Sequence, residues 1–546
     1  MKRWFLSLCC LLGLLLAWSE PGTLAAKKPV PPAGAVATQH PLATEAALRV
    51  LRQGGNAIDA ALAAALTLAV VEPYNSGLGG GGMALVWYGK KARAFDFRET
   101  APSRAHARTF LEAADPEASK VGPLSIAVPG AVAGLEFLHR QAGRIAWASL
   151  FDEAIQYAEK GFRPDAELKR RLLVKADCLL RDYHSAQIYR PLLKPENAEN
   201  WVQADLAQTL KQLREGGAAQ FYEGPIGVEL ISNLQGKGAL LQLEDLQTYR
   251  ALEREPVSAN YSFGKIWGMP PPSAGGVGIL LGMNFLEARL KKDKDGWSAQ
   301  GADWMAAAMA EMFRIRNQEM GDPEFNPGLP IKDWVKKRGN TTHLSVMDGE
   351  GNAVALTTTL NLSFGSCVTA GKTGILMNDE MDDFSTRPGE ANDFGLLQSD
   401  KNKVEPGKRP LSSMSPTLVT KGGHALAALG SPGGPRIMSS VFQVLAQHFF
   451  GGETWSKAVT AERLHYQGEP DKLEKESAAR SWGNVQAVAY NPKTKTFEAV
   501  SDPRGEGLGA VLSFRGPEGT EKSHTHQGSR TSLTSFGMTY SPATDE

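Results

Sequence analysis

The chain predicts a layered α/β protein (α+β in its ordering), with helices flanking a largely antiparallel set of strands. Three observations carry that expectation. Apolar residues recur at helical spacing over 41–71 and through most of 131–250. From Thr341 onward the pattern changes to short strands separated by Gly-rich turns. Of the 546 residues, 42% are hydrophobic and 22% charged, enough apolar material for a large core. Lys+Arg and Asp+Glu are equal at 59 each, so no net field recruits nucleic acid or an anionic membrane. The composition is that of a compact soluble enzyme or binding protein.

In chain order, "MKRWFLSLCCLLGLLLAWSEPGTLAA" has a basic start, an apolar run from Trp4 to Trp18, and small residues near Ala25. It reads as a signal peptide over 1–25, too short in its apolar part for a membrane span. The expectation is an exported protein, periplasmic or secreted. Residues 41–71 predict two helices broken at Gly54-Gly55-Asn56, the second buried all round. "GLGGGG" at 77–82 leads into a strand, "MALVWYG". "YSFGKIWGMPPPSAGGVGILLGMNFLE" reads as strand, turn and helix, and helix resumes near 302–320. Strands are expected at "HLSVMD", "NAVALTTTL", "GILMND", "PTLVT", "HALAALG", "NVQAVAY" and "FEAVSD", with a helix at about 436–450. The polar tail over 516–546 is expected to be mobile.

Several motifs fail on spacing. "AGKTG" at 370–374 lacks the first glycine of a phosphate loop, because Ser366 stands there. "GLGGGG" has no dinucleotide-binding spacing and implies only close backbone approach. The ten histidines form no metal-ligand set, and His524 and His526 read as solvated. Beyond the leader only Cys178 and Cys367 remain; they could pair in an exported chain or stay as two small buried side chains.

One stretch carries chemistry. "KKRGN-TTHLSVMD-GEG-NAVALTTTL" places Thr341 at a strand start in a hairpin. If Met347 pairs with Ala353, Thr341 faces Thr359; a loop one residue shorter puts Thr358 there instead. A cut between Asn340 and Thr341 would give Thr341 a free α-amine with a pKa of about 7.7–8.0. That amine can take the proton from its own side-chain hydroxyl, so nucleophile and base share one residue.

"TTHLSVMDGEGNAVALTTTLNLSFGS" resembles the small-subunit start of the γ-glutamyltransferase (glutathione hydrolase) family. "DFRETAP", "MPPPSAGG", "NDEMDDFS", "RPLSSMSPT", "GSPGGPRI" and "SDPRGEG" follow in that family's order, and the likeness runs from about 33 to 513. The resemblance implies a four-layer αββα N-terminal nucleophile hydrolase, made as one chain that cuts itself. The large subunit would be 26–340 and the small subunit 341–515, joined as a heterodimer. It implies Thr341 as nucleophile, Thr359 orienting its amine, and Gly433 and Gly434 as the oxyanion hole. Arg98, Ser412 and Ser413 would hold the substrate α-carboxylate, with Glu380, Asp383 and Asn361 on the amino-acid head. The partners implied are γ-glutamyl donors such as glutathione, amino acid or peptide acceptors, and water. No metal or organic cofactor is implied.

Two departures stand out. The segment before Thr341 is shorter than the family's usual one, and Phe394 replaces a tyrosine in the expected lid at 386–407. Alternative readings are a same-fold acylase, a poly-γ-glutamate depolymerase, or an unprocessed γ-glutamyl-binding protein.

Overall fold

A computed structural model describes residues 33–194, 199–293, 296–330, 343–387, 389–468, 471–477 and 482–512, with a further strand at 524–526. The leader, Asn340, Thr341 and most of the tail lie outside the described residues.

The first sheet contains β1 (Gly34–Thr38), β2 (Gly81–Tyr88), β3 (Lys91–Phe97), β4 (Leu252–Arg254), β7 (Leu344–Asp348), β8 (Ala353–Thr359), β15 (Leu508–Leu512) and β16 (His524–His526). Its spatial order is β16-β15-β1-β7-β8-β2-β3-β4. The second contains β5 (Val257–Tyr261), β6 (Gly264–Gly268), β9 (Thr417–Lys421), β10 (His424–Gly430), β13 (Gln486–Asn491) and β14 (Thr496–Ser501), in the order β14-β13-β10-β9-β6-β5. The short strands β11 (Leu464–His465) and β12 (Glu474–Lys475) pair separately. All named strand pairings are antiparallel.

Both faces of each sheet are buried, and period-two alternation decides which side chain goes where. Met83, Leu85, Met347, Ala353 and Ala355 of the first sheet meet Leu418, Ala428 and Val488 of the second. Ala84, Val86, Leu344, Val346, Val354 and Leu356 point the other way, into the core under α1 (Pro41–Arg52) and α2 (Ala57–Val71), a core that α3 (Ala166–Leu179) also joins through Leu168, Leu172 and Leu179. Val419, Ala427, Leu429 and Ala487 pack against α4 (Gly275–Leu290), α5 (Gly296–Glu319) and α6 (Arg436–Phe449). The result is the four-layer αββα sandwich.

Helix α2 is buried along its whole length, as its unbroken apolar run predicts. Its start is fixed by a capping box between Asn56 and Asp59, and Asp348 in the hairpin turn accepts the Ala57 N–H at 2.9 Å. The hairpin register is Met347 with Ala353, the alternative that on the sequence reading sets Thr359 opposite position 341.

Two expectations change, and one open alternative is settled. Residues 374–379 form no strand: after Gly371 and Gly374, both at positive φ, the backbone makes only isolated bridges, Leu376 with Thr369 and Met377 with Gly79. The tail is not wholly without structure, since β16 adds to the edge strand β15 and its backbone is paired there. Cys178 and Cys367 are bonded to each other, joining the last turn of α3 to the loop after β8.

Candidate active site

At the strand ends lies a cavity of about 610 Å³. Arg98, Thr359, Asn361, Glu380, Asp383, Ser412, Ser413, Gly433 and Gly434 all line it, although they are spread over more than 300 positions of sequence. Thr341 and Asn340 are outside the described residues.

Arg98 follows β3 and is 1% exposed. Its Nη1 pairs closely with Glu380, and its Nη2 donates to Asp383 Oδ2 at 2.5 Å. Glu99 lies 3.8 Å from the same guanidinium. Three carboxylates thus face one arginine with little water. Burial pushes the Glu99 carboxyl up to about 7, against the pull of Arg98. Burial, with repulsion from Glu99 and Asp383, also raises Glu380 well above the ordinary carboxylate range, again against Arg98. This end of the cavity is rich in acids and short of cations. Asp96, two residues earlier, accepts only the Arg98 backbone N–H, so the close charge partners of the guanidinium are Glu380 and Asp383.

Two of these acids, Glu380 and Asp383, stand on a 3₁₀ turn over Glu380–Asp383. Asn378, which sequence reasoning passed over, anchors that turn. Its side chain donates to the Gly79 and Ala127 carbonyls at 2.8 and 2.9 Å and accepts from the Ala127 and Glu380 N–H groups at 2.9 and 3.0 Å. All its hydrogen-bonding capacity is used by backbone. The glycine run gives the close approach it predicts: a Cβ on Gly80 would sit 1.9 Å from the Thr359 carbonyl oxygen.

Thr359 ends β8 beside Gly81, and its Oγ1 accepts the Asn361 N–H at 2.8 Å. Asn361 sits at φ 76°, a left-handed conformation that asparagine tolerates, and its side chain donates to the Asp379 carbonyl at 3.1 Å. Ser412 is locked between the Pro272 carbonyl, at 2.8 Å, and the Ala274 N–H, at 3.0 Å. Its neighbour Ser413 faces the same cavity.

Gly433 and Gly434 adopt φ of 124° and 54° immediately before α6. Their carbonyls accept the Arg436 and Ile437 N–H groups, both at 3.2 Å, so the pair forms the turn that opens the helix. A helix start concentrates positive partial charge, as oxyanion stabilisation requires. A Cβ on Gly434 would reach within 2.6 Å of the Phe394 ring, so the expected lid rests on this turn. The same loop is tied to the acid turn by Gln398 and Asn402, which donate to the Asp383 carbonyl at 3.0 and 2.7 Å.

His343 is buried against Gly430, and burial lowers its pKa well below the ordinary value, so it is a neutral imidazole. It contacts Ser345, which also bonds across to the second sheet at the Ala428 and Gln486 carbonyls. Arg316 on α5 is a second buried cation close enough to feel Asp383 and Arg98, and burial lowers its pKa to about 10. Neither residue was singled out from sequence. A lone arginine within a helical pattern carries no signal of depth.

Two antiparallel sheets packed face to face between helical layers, with a polar cavity at the strand ends, form the N-terminal nucleophile hydrolase fold. A cephalosporin acylase structure from Bacillus halodurans shares it, with a TM-score of 0.76 over 92% of this chain and 100% of that one at 24% identity. The gamma-glutamyltranspeptidase family model matches residues 43–338 and 330–512, and the chain belongs to that family. A glutathione hydrolase proenzyme from Pseudomonas aeruginosa is 35% identical over 88% of this chain and 94% of its own length. The Helicobacter pylori gamma-glutamyltranspeptidase structure is 32% identical, with a TM-score of 0.52 over 55% of this chain and 87% of that one.

Proposed function

We propose that this protein is a γ-glutamyltransferase and glutathione hydrolase that matures by cutting its own chain between Asn340 and Thr341. The observation that carries the reading is the cluster of three carboxylates around Arg98, in one cavity with Thr359 and the Gly433-Gly434 turn. A γ-glutamyl head brings one carboxylate and one ammonium. Its carboxylate takes Arg98, with Ser412 and Ser413 donating, and its ammonium takes Glu380 and Asp383, with Asn361 alongside. The head adds no net charge, but its ammonium gives Glu380 and Asp383 a second cation, which frees part of Arg98 for the incoming carboxylate.

The Thr341 hydroxyl then attacks the γ-carbonyl, giving its proton to the Thr341 α-amine, which Thr359 orients. The Gly433 and Gly434 N–H groups hold the oxyanion. The C–N bond breaks, the leaving amine takes the proton, and a γ-glutamyl ester of Thr341 remains. Water, or the amine of an amino acid or peptide, attacks the ester and regenerates the hydroxyl. Maturation uses the same nucleophile: Thr341 Oγ attacks the Asn340 carbonyl, and water hydrolyses the resulting ester. Export through the 1–25 leader belongs to this reading, and no helix among the described residues is long and apolar enough to cross a membrane.

Mass spectrometry after reduction tests it. Scaling 58.7 kDa by residue count predicts pieces of roughly 34 and 22 kDa, the smaller beginning Thr-Thr-His-Leu. Thr341→Ala should stay uncut and lose at least about 10⁴-fold of γ-glutamyl anilide hydrolysis. A wild-type chain that remains whole yet hydrolyses the anilide would sink the mechanism.

A further inference from the structure

The cavity has a second end that the donor machinery leaves unused. It is lined by Glu72, Tyr74, Glu167, Arg170, Arg171 and Ser363. Arg171, on α3, donates from Nε to Glu167 at 2.6 Å, and Arg170 grips that same carboxylate with Nε and Nη2, both at 2.7 Å. Two guanidinium groups therefore share one carboxylate. Arg171 lies over the Tyr74 ring at 5.0 Å and reaches Ser363 Oγ at a long 3.4 Å; its Nη2 makes no hydrogen bond among the described residues. Its side chain is 32% exposed.

The acids that could neutralise the surplus are otherwise disposed. Burial pushes Glu72 up to about 8, so at neutral pH it is mostly a neutral acid, and its side chain accepts from Asn75 at 2.9 Å. Asp165 caps the start of α3, accepting the Leu168 N–H at 2.6 Å beside a His40 that burial keeps neutral, and Glu506 is exposed at the rim. Across the cavity Arg436 and Arg504 have carboxylates of their own, Glu474 for the first and Glu476 and Asp502 for the second.

This end is also within reach of the reaction. Ser363, against Arg171, is four residues from Thr359, a chain length of at most about 14 Å and less in this folded loop. A dipeptide spans about 7 Å from its amine to its carboxylate. We propose that Arg171, backed by Arg170, binds the C-terminal carboxylate of the amine-side peptide, the one released from the γ-glutamyl donor or the one that replaces it. The proposal rests on the γ-glutamyl reading and adds to it a preference for peptides with a free C-terminus.

The test compares two donors on the mature protein, γ-glutamyl-cysteinylglycine and its C-terminal glycinamide. The wild type should favour the acid by about tenfold in kcat/KM, the scale of one half-exposed charge-assisted contact. In Arg171→Gln the ratio should fall to near one, and Arg171→Lys should keep part of it. Because the ratio is taken within each variant, a general loss of activity divides out. Arg93→Gln, which removes an exposed pair with Glu253, should leave the ratio as in the wild type. A wild type that cleaves acid and amide equally, or an Arg171→Gln that keeps the preference, overturns the subsite while the γ-glutamyl reading stands. No cleavage of either donor, or of a γ-glutamyl anilide, overturns that reading and the subsite with it.

Discussion

At one end of the cavity Arg98 is 1% exposed and held among three carboxylates, two of them on a turn that Asn378 staples to two other segments. At the other end Arg171 is 32% exposed, stands on a helix, and shares one carboxylate with its neighbour. The first arrangement fixes charges in place with little water to screen them. The second leaves a cation on a flexible stem, partly solvated, able to follow ligands of different length. A site that must recognise one constant head group and many partners benefits from that division. Rigidity gives selectivity where the ligand does not vary, and tolerance suits the side where it does.

The same conservative change at both ends is the sharpest test of that contrast. Arg98→Lys should cost about 10²–10³ in kcat/KM, because an ammonium cannot make the two-pronged contact and leaves a buried carboxylate unpaired. Arg171→Lys should cost less than about fivefold with a peptide donor, since half-exposed pairs are worth little. Equal losses in steady-state assays would mean that the two ends are not built differently after all.

A smaller effect concerns stability and is read as a change in melting temperature with pH. Glu72 is a neutral acid in the fold because burial raises its pKa from 4.5 to about 8, despite Asn75, Arg171 and Tyr74 pulling the other way. A raised carboxyl pKa stabilises the fold fully below the unfolded value and loses that contribution as pH climbs through the folded value. The wild type should therefore lose stability relative to Glu72→Gln between about pH 4.5 and 8, and the difference should level off above that. A difference that stays flat over this range would place a charged Glu72 in the fold and remove the neutral wall beside Arg171.

The two ends also differ in how far the sequence foretells them. The donor end is carried by loops with dense special residues: "DFRE", "NDEMDD", "PLSSMSP" and "SPGGP" each read as local turns, and their meaning comes from occurring together. The amine end is carried by "LKRRL" inside a helix, where paired arginines read as a solvated face, and by Glu72 and Tyr74 at a helix end. Nothing local says that these share a cavity. The sandwich itself was legible because alternation such as "NAVALTTT" records two buried faces. Residues 374–379 have strand composition but are diverted by glycines at positive φ, and β16 is a pairing that composition could not reveal. The Cys178–Cys367 bond spans 189 residues, a contact that spacing alone leaves open.

That bond has a further consequence. Cys178 precedes position 341 and Cys367 follows it. A cut at Asn340–Thr341 therefore makes two polypeptides but only one molecule, heavier than its precursor by a single water. Without a thiol, electrophoresis and intact-mass measurement would show one species, and adding a reductant would split it into two. Dilution could not part the pieces, because their association is a matter of tether length rather than concentration. A protein that seems never to mature could then be fully mature, its second N-terminus present all along and visible only to end-group sequencing.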